Sequence, residues 1–574
     1  MSKKRKTTAY AGYQNAIKRF DVEPSPGRER NRIHLIDRGR DTFNAGELVP
    51  FFWMPVHPGD NLYFSPSVLI RMSNPFVNPL MDEISCNIHF FMSYDRFVCD
   101  YFRELMGEFN DNDSDYDESG DNYGADAITE PAYNSPGEYE YPTLVFNKNS
   151  DNSVFEIGSI YDHFGLPYKL SPNGTSYEIQ PLLFRHYNHI WNSFYRDENL
   201  QRKAPVPKGP GPDKLTQYRL LPVLKYKDYF TGSLPFLQKG PDVSIGLTGD
   251  LPVHWDLTSP VTESNHVGLS KVNNQLLAFT LPGNWSNIPN ETTGYLNVPG
   301  QEASAVSLAQ IRLAFQLQRF YEGQARSGSR YIEYVKFMFN VDIPDIELER
   351  PQFIGGTKTY INVNPVTQTS SNSDQPTPLG ALAAFGVTYH RDGSCAHCYA
   401  REHGYVIGFV SARTNLSYSQ GLDRDFQKKD RFDTYVPTLA HLAEQPLYNN
   451  ELCCTGIPEY DSGTFGYIGR YDNLRTHIAR NKGWFRPDSP LTLASYHLGE
   501  YWDLSTPGTN AQGFPGLPHL NTNFIVQPKQ FIDRALNISS EAPGVPQFLM
   551  DYSVTVKGTS VISKHGIPGY ADHF

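Results

Sequence analysis

The 574-residue chain is poor in cysteine, with six in all and two of them adjacent at Cys453 and Cys454. So sparse a set in so long a chain excludes a disulfide framework, and reduced thiols are expected. Long apolar runs are also missing. The longest, at residues 379 to 387, is about half of what a membrane-spanning helix requires, so no membrane insertion is expected. The basic start, Met1-Ser-Lys-Lys-Arg-Lys6, leads into Thr7-Thr-Ala-Tyr-Ala-Gly-Tyr-Gln14 rather than the apolar core of a secretory signal, and cytoplasmic synthesis is expected. There is no G-x-x-x-x-G-K-[ST] phosphate loop, no H-E-x-x-H and no G-x-S-x-G, which removes the most direct signals of NTPase, zinc-protease and serine-hydrolase chemistry. No internal repeat of fixed period is present, which disfavours a solenoid or propeller.

What the chain does have is aromatic residues, 13% of the total with 36 Tyr and 35 Phe, and 45 Gly with 43 Pro. Turn-forming residues at that level favour many short connections over long helices, and so β structure. From Phe43 to Met72, prolines at 50, 55, 58 and 66 punctuate Phe51, Phe52, Trp53, Leu62, Tyr63 and Phe64, a pattern of extended pieces and turns. Between Glu83 and Tyr94 apolar and polar residues alternate with the period of a half-buried strand, and the same period recurs from Phe548 to Val556. The apolar run from Tyr405 to Ser411 reads as another strand. Short helices are expected after Asp95, over residues 182 to 196, from a cap at Ser304 to about Gly323, and from Tyr331 to Phe339.

Charge is segregated. The formal net is −12, yet residues 1 to 40 hold eleven Lys and Arg against four acids, a net of +7 that leaves −19 for the rest. Lys3, Lys4, Arg5, Lys6, Lys18, Arg19, Arg28, Arg30 and Arg32 are candidate phosphate contacts, and Tyr10, Tyr13 and Phe20 lie among them. Cations that neutralise phosphates and rings that stack on bases are the two parts of single-strand binding. A soluble tail, or an arm anchored on a neighbouring subunit, is the plainer alternative. Between Glu104 and Glu140 there are twelve acidic residues and no Lys or Arg. Such a segment repels itself when compacted, and a solvated insertion over about residues 108 to 160 is expected. A second insertion, over about residues 243 to 301, is poor in charge and bounded by Gly240-Pro241 and Pro299-Gly300.

Metal chemistry has partial signals only. Asp111-Asn-Asp113-Ser-Asp115 opens like a calcium loop, but Tyr116 stands where an EF-hand needs Gly and Asn122 where it needs Glu. Cys395-Ala-His-Cys398 followed by His403 supplies three ligands at knuckle spacing, with Gly408 in the fourth position, so His390 or His397 would have to complete a zinc site. No cofactor is expected.

Several segments, in order along the chain, resemble the major capsid protein of Microviridae, the small icosahedral single-stranded DNA phages, and especially its gokushovirus-like branch. They are Thr42-Phe-Asn-Ala-Gly46 with Pro58-Gly-Asp60, Arg196-Asp-Glu-Asn-Leu-Gln201, Asp228-Tyr-Phe-Thr-Gly-Ser-Leu-Pro235 with Gln238-Lys-Gly-Pro241, and Gln324-Ala-Arg-Ser-Gly-Ser-Arg330. Arg350-Pro-Gln-Phe-Ile-Gly-Gly356, Ile361-Asn-Val-Asn-Pro365, His403-Gly-Tyr-Val-Ile-Gly408 and the closing Ile567-Pro-Gly569 with Asp572-His-Phe574 continue the series.

The resemblance implies a mainly β fold: a single eight-stranded viral jelly-roll sandwich with large loop insertions and several short helices. It implies a structural role without catalysis, in which sixty copies close a T=1 icosahedral capsid around circular single-stranded DNA. By position the second insertion, with Val243, Trp255, Trp285 and Tyr295, corresponds to a host-contact protrusion, while the basic arm of residues 1 to 40 faces the interior and residues 41 to 574 form the capsid domain. Implied partners are further copies of the chain, the packaged DNA, a small basic DNA-binding protein, an internal scaffolding protein, a DNA pilot protein and a bacterial surface receptor. The implied location is the virion, assembled in the host cytoplasm. Two other classes fit the composition: a secreted carbohydrate-active β-sandwich enzyme, opposed by the basic start, and a monomeric nucleic-acid-binding protein that uses the arm alone.

Overall fold

The computed structural model describes residues 30–107, 140–147, 156–167, 176–241, 243, 308–367, 382–391, 393–441, 444–487, 493–504, 517–536 and 545–563, with the backbone of four short strands between 254 and 297. The chain divides into two compact units, residues 236–337 and the remainder.

The larger unit begins with four long strands, β1 (Asn31–Phe43), β2 (Glu47–Val56), β3 (Asn61–Met72) and β4 (Ile84–Tyr94), followed by the short β5 (Leu144–Asn147), β6 (Ser176–Ile179) and β7 (Leu221–Pro222). In the smaller unit, β8 (His254–Asp256) pairs with β11 (Tyr295–Asn297), and β9 (Lys271–Val272) with β10 (Gln275–Leu276). The larger unit resumes with β12 (Gln352–Tyr360), β13 (Asn362–Thr367), β14 (Leu382–Arg391), β15 (Ala396–Tyr399), β16 (Gly404–Thr414), β17 (Gln445–Tyr448), β18 (Thr464–Ile468) and β19 (Phe548–Ser560).

Eight of these strands make two antiparallel runs. One is β1–β19–β3–β14 and the other β2–β16–β4–β12. The chain enters them in the order first, second, first, second, second, first, second, first, which is the winding of a jelly roll. β13 extends the first run, β7 the second, and β15 joins β3 to β12, so that eleven strands form one continuous sheet. Pro66 lacks an N–H yet lies within β3. It stands where the neighbour of β3 changes, since β15 pairs with residues 61 to 64 and β14 with residues 67 to 71. At Gly355 β12 bulges; its φ is +150°, and a Cβ there would collide with the backbone of Cys395.

β3, in the stretch expected to be short extended pieces, is one continuous strand with a period of two. Leu62, Phe64, Val68, Ile70 and Met72 are buried, while Tyr63, Leu69 and Arg71 are exposed. Phe64 meets Phe52 of β2 at 5.9 Å and Phe90 of β4 at 5.9 Å, and Tyr552 of β19 meets Phe51 of β2 at 5.2 Å, so rings from the two runs interlock to form the core. β4 differs from the half-buried expectation, being buried on both faces, as is the apolar β16 beside it. The cause is a helical layer. After the single-turn helices α1 (Phe102–Leu105) and α2 (Ile160–His163) comes α3 (Leu182–Ile190), continued by a π turn from Trp191–Tyr195. Phe194 lies 4.8 Å from Phe91 and Tyr187 5.8 Å from Phe409, covering the second face of the β2–β16–β4–β12 run.

In the smaller unit, α4 (Leu308–Ser327) begins a few residues after the expected Ser304 cap, which lies outside the described residues, and α5 (Tyr331–Phe339) has the expected bounds. The unit starts at residue 236 rather than 243 and takes in all of α4. Lys239 Nζ donates to the Gly328 carbonyl and to Ser329 Oγ, both at 2.7 Å, and Gln318 donates to Gln238 at 2.6 Å, which ties the Gln238-Lys-Gly-Pro241 segment to α4 and the turn after it.

The alternation along β3 yields a stability test. Phe64→Ala should cost about 3–5 kcal/mol in denaturant unfolding, whereas Tyr63→Ala, one residue away on the open face, should cost under about 1 kcal/mol. A second test uses the helical layer. His89 Nδ1 is 2.7 Å from the Tyr195 hydroxyl, and burial, then the charge of Arg413, pushes its pKa down to about 4. His189 is pushed down to about 3 by burial and then by neighbouring cations. Both rings stay neutral in the fold, while unfolded histidines take up protons near pH ~6.5. The stability they contribute is whole above that pH and is lost as pH falls toward 4. His163 acts in the opposite sense: burial lowers its pKa, but bonding to Asp41 at 2.9 Å outweighs this and raises it, so its contribution holds at low pH and fades as pH rises through the raised value. Replacing His89 by Gln should flatten the fall in stability between pH 6.5 and 4 by up to about 1.4 kcal/mol per pH unit, read by thermal unfolding.

Candidate functional site

The basic segment is divided by the fold. Lys3, Lys4, Arg5, Lys6, Lys18, Arg19 and Arg28 lie outside the described residues, and Arg30 is exposed just before β1. Residues 31 to 40 are not arm but strand. β1 pairs with β19 along thirteen positions, and Ile33 and Phe43 pack against the core. Arg32, Arg38 and Arg40 share one face of an edge strand and stand exposed, while on the other face Ile33 and Phe43 pack inward and Leu35 and Asp37 are exposed as well. Their charge made the segment resemble a tail; the pairing that makes it a strand comes from more than 500 residues later in the chain.

The acidic insertion is likewise shorter than residues 108 to 160. Residues 108–139 and 148–155 lie outside the described residues, but Leu144, Phe146, Ile160 and Tyr161 are fully buried in the helical-layer cluster. Those four belong to the body of the larger unit and are not solvated. Of the four protrusion candidates, Trp255 sits in β8 and Tyr295 in β11, where Tyr295 pairs with Asp256 and Leu296 with Trp255. Val243 is half-buried, and Trp285 lies outside the described residues.

The three thiol and imidazole candidates do not converge. Cys398 is on the core-facing side of β15, where burial pushes its thiol up to about 12, against the thiolate a metal needs. Cys395 precedes the same strand, and His403 precedes β16 with its ring edge-on to His57 at 6.2 Å. Among the described residues no group of three or more His, Cys, Asp or Glu could hold a metal ion.

The buried charges that sequence reading missed are joined to partners far away in the chain. Arg185 of α3 is fully buried and forms a fork on Asp213, with Nε and Nη2 at 2.9 and 2.8 Å, while Tyr218 donates to the same carboxylate at 2.6 Å. Its remaining donors reach the carbonyls of Val98 and Gly209. Next to it, His186 bridges Ser93 and Asp95, each at 2.9 Å. Lys225 pairs with Glu500 at 2.5 Å, both nearly fully buried, and Glu451 accepts from Tyr229 at 3.0 Å and Arg424 at 3.2 Å. Burial raises the pKa of both glutamates against these cations. A cavity of about 270 Å³ is lined by Tyr418, Asp423, Glu451 and Arg480, but Asp423 pairs with Arg480 at 2.7 Å and Glu451 with Arg424, so its charges close on one another. These groups clamp loops together, and the Arg185–Asp213 fork does so with every named donor hydrogen-bonded.

A jelly roll with its connections pinned by buried ion pairs, a cationic edge strand and large insertions defines a viral coat subunit. Residues 24–568 match the family described as Capsid protein (F protein), and the chain belongs to that family. It is 33% identical to the Capsid protein VP1 of Chlamydia phage 1 over 96% of this chain and 97% of that one. It is 32% identical to the Capsid protein VP1 of Bdellovibrio phage phiMH2K over 97% and 98%, and 27% identical to that of Spiroplasma virus 4 over 94% and 95%. The resemblance to Microviridae seen in the sequence thus holds across the chain, and this is a structural capsid protein of the virion. No helix among the described residues is long and apolar enough to cross a membrane.

The Arg185 clamp carries its own prediction. Arg185→Met should destabilise by about 3–5 kcal/mol because Asp213 is left buried and unpaired, and the double change with Asp213→Leu should recover much of that loss in a double-mutant cycle.

Proposed function

We propose that sixty copies of this capsid protein close a T=1 icosahedral shell around circular single-stranded DNA, with no catalytic step. The basic arm faces the interior and the smaller unit faces the host. The observation that carries this reading is the segregation of charge on a jelly-roll coat subunit, with a net +7 in the first forty residues against −19 in the rest. A cationic segment placed against DNA and an acidic body kept away from it satisfy the electrostatics of packaging. Leu313, Phe315 and Phe337 of the smaller unit are more than half exposed, which supports its use as a contact surface. The small basic DNA-binding protein, the internal scaffolding protein and the DNA pilot protein are partners in this scheme, with a bacterial surface receptor for the outward unit and assembly in the host cytoplasm.

Negative-stain electron microscopy with sedimentation, on the chain expressed with and without its phage co-factors, tests the shell. Icosahedral particles are expected, and a stable monomer under both conditions would overturn the proposal. Removing residues 1–20 should leave particles that carry less DNA; unchanged DNA per particle would take the arm out of packaging. Trimming residues 243–301 should lower adsorption to host cells while particles still form, and a misfolded subunit would mark the segment as structural instead.

A further inference from the structure

The cover over the β2–β16–β4–β12 run is made of two pieces that do not meet. One is the π turn, where Phe194 lies on Phe91 and the Tyr195 hydroxyl bonds His89. The other is the loop of residues 224–227 after β7, held to β4 by Tyr226, whose hydroxyl bonds Ser85 Oγ at 2.7 Å and accepts from Asn87 at 3.3 Å. Between them lies a cleft of about 370 Å³, a size that suits a small molecule. Its walls are mostly rings. Phe353 of β12, 51% exposed, stands 5.3 Å from Phe91 and 5.7 Å from His89. Arg413 of β16, in register with Ser85 and on the same face of its strand as Phe409, forms part of the lining.

Arg413 is the anomaly of this face. Arg185, buried under the same cover, grips a carboxylate with two nitrogens. Among the described residues Arg413 makes no ion pair; its Nε is fully buried without a hydrogen bond, and its guanidinium rests over the Tyr226 ring at 5.3 Å. Ser411 Oγ, two residues back on the same face, is likewise buried without a partner. Burial pushes the Arg413 pKa down, and the charge of Arg413 helps to keep His89 neutral, so its field reaches the cleft uncompensated. No Asp or Glu lines the cleft, whereas exposed Lys227 does, and Lys358 lies over the outer side of Tyr226 at 4.8 Å. Lys225 is already matched by Glu500. A buried cation with no counter-charge is costly to the fold, and an anion in the cleft would remove that cost.

We infer that this cleft binds a free nucleoside monophosphate, with the phosphate held between Arg413 and Lys227 and the base stacked on Phe353. The charges ask for an anion, and a guanidinium with both terminal nitrogens unclaimed suits the paired oxygens of a phosphate. The walls ask for a flat aromatic body rather than an acyl chain, since Leu224 is the one aliphatic side chain among the described lining residues. Bound there, the nucleotide would tie the 224–227 loop to β16 and β12 and so stabilise the subunit.

The test is calorimetric titration of the full-length chain with AMP, alongside thermal unfolding. AMP should bind saturably and raise the unfolding temperature, while adenosine and inorganic phosphate, each carrying one part of the ligand, should bind at least ~10-fold more weakly. Arg413→Gln should cost ~10-fold or more in AMP affinity, yet without ligand it should unfold at the wild-type temperature or above, because an unpaired buried charge is gone. An arginine with a merely structural role would give a lower temperature. Phe353→Ala should weaken AMP and adenosine roughly ten-fold and leave phosphate unchanged. Lys227→Gln, in the exposed part of the loop, should weaken AMP and phosphate and leave adenosine unchanged, and it decides the matter if Arg413→Gln does not fold. No AMP binding, or AMP binding that neither cation variant alters, overturns the proposal. Phosphate as tight as AMP would make the cleft a plain anion site, and palmitate displacing AMP would make it a lipid site. Oligodeoxythymidine displacing AMP with an affinity that grows with strand length would make it a contact for a strand. Each of these three results also overturns it.

Discussion

The interlocking of Phe64 with Phe52 and Phe90 is the constraint from which the rest of the larger unit follows. A sandwich core about 10 Å thick uses one face of each sheet, which leaves each sheet a second face to settle. The β2–β16–β4–β12 run settles it with α3, and this has a cost, because a helix enclosed on nearly all sides buries its polar residues too. Arg185, His186 and Asn188 are each wholly inside, and each has found a partner in a loop or strand remote from it. The helical layer and the pairs made by Arg185 and His186 are therefore one device. The β1–β19–β3–β14 run, among the described residues, leaves exposed charged side chains of both signs on its second face.

The same core explains where the additions sit. β4 and β12 are neighbours in the sheet, paired directly, yet residues 95–351 lie between them. The acidic segment, α3 and the smaller unit all belong to that one connection. A second long connection, with β17 and β18, leads from β16 to β19. Because loop-closure entropy grows only logarithmically with length, a strand pair held by a full core tolerates insertions of this size.

How much of this could be read beforehand depended on whether the determining interaction was local. β4, β16 and β19 were legible because one or both faces pack on a continuous apolar layer and the alternation or apolar run is written into ten or so residues, whereas β3 showed only as extended pieces between prolines. α3 and α5 were legible for the same reason at the helical period. β1 was not, since Arg32, Arg38 and Arg40 on its open face outweighed Ile33 and Phe43, and its partner is β19. β12 was hidden by Gly355 and Gly356, which weaken any strand pattern and are needed there for a bulge and a close approach to β4. Of the candidate site residues, the arm cations could be listed from charge alone, but the cleft beside Arg413 could not: its walls are assembled from stretches of chain scattered from residue 89 to residue 413. The Arg185–Asp213 fork was equally out of reach, as no spacing rule links those positions.

β19 lies in the middle of its sheet, with β1 along one side and β3 along the other. During translation those two strands leave the ribosome early and must wait for some 475 further residues, roughly 25 to 95 s at common elongation rates, with a strand-wide slot open between them. Until the slot is filled, both neighbours present bare backbone edges to any passing strand, and the barrel has no complete wall. A truncated chain can never complete that wall. The late central strand thus ties closure of this wall to synthesis at least as far as residue 560.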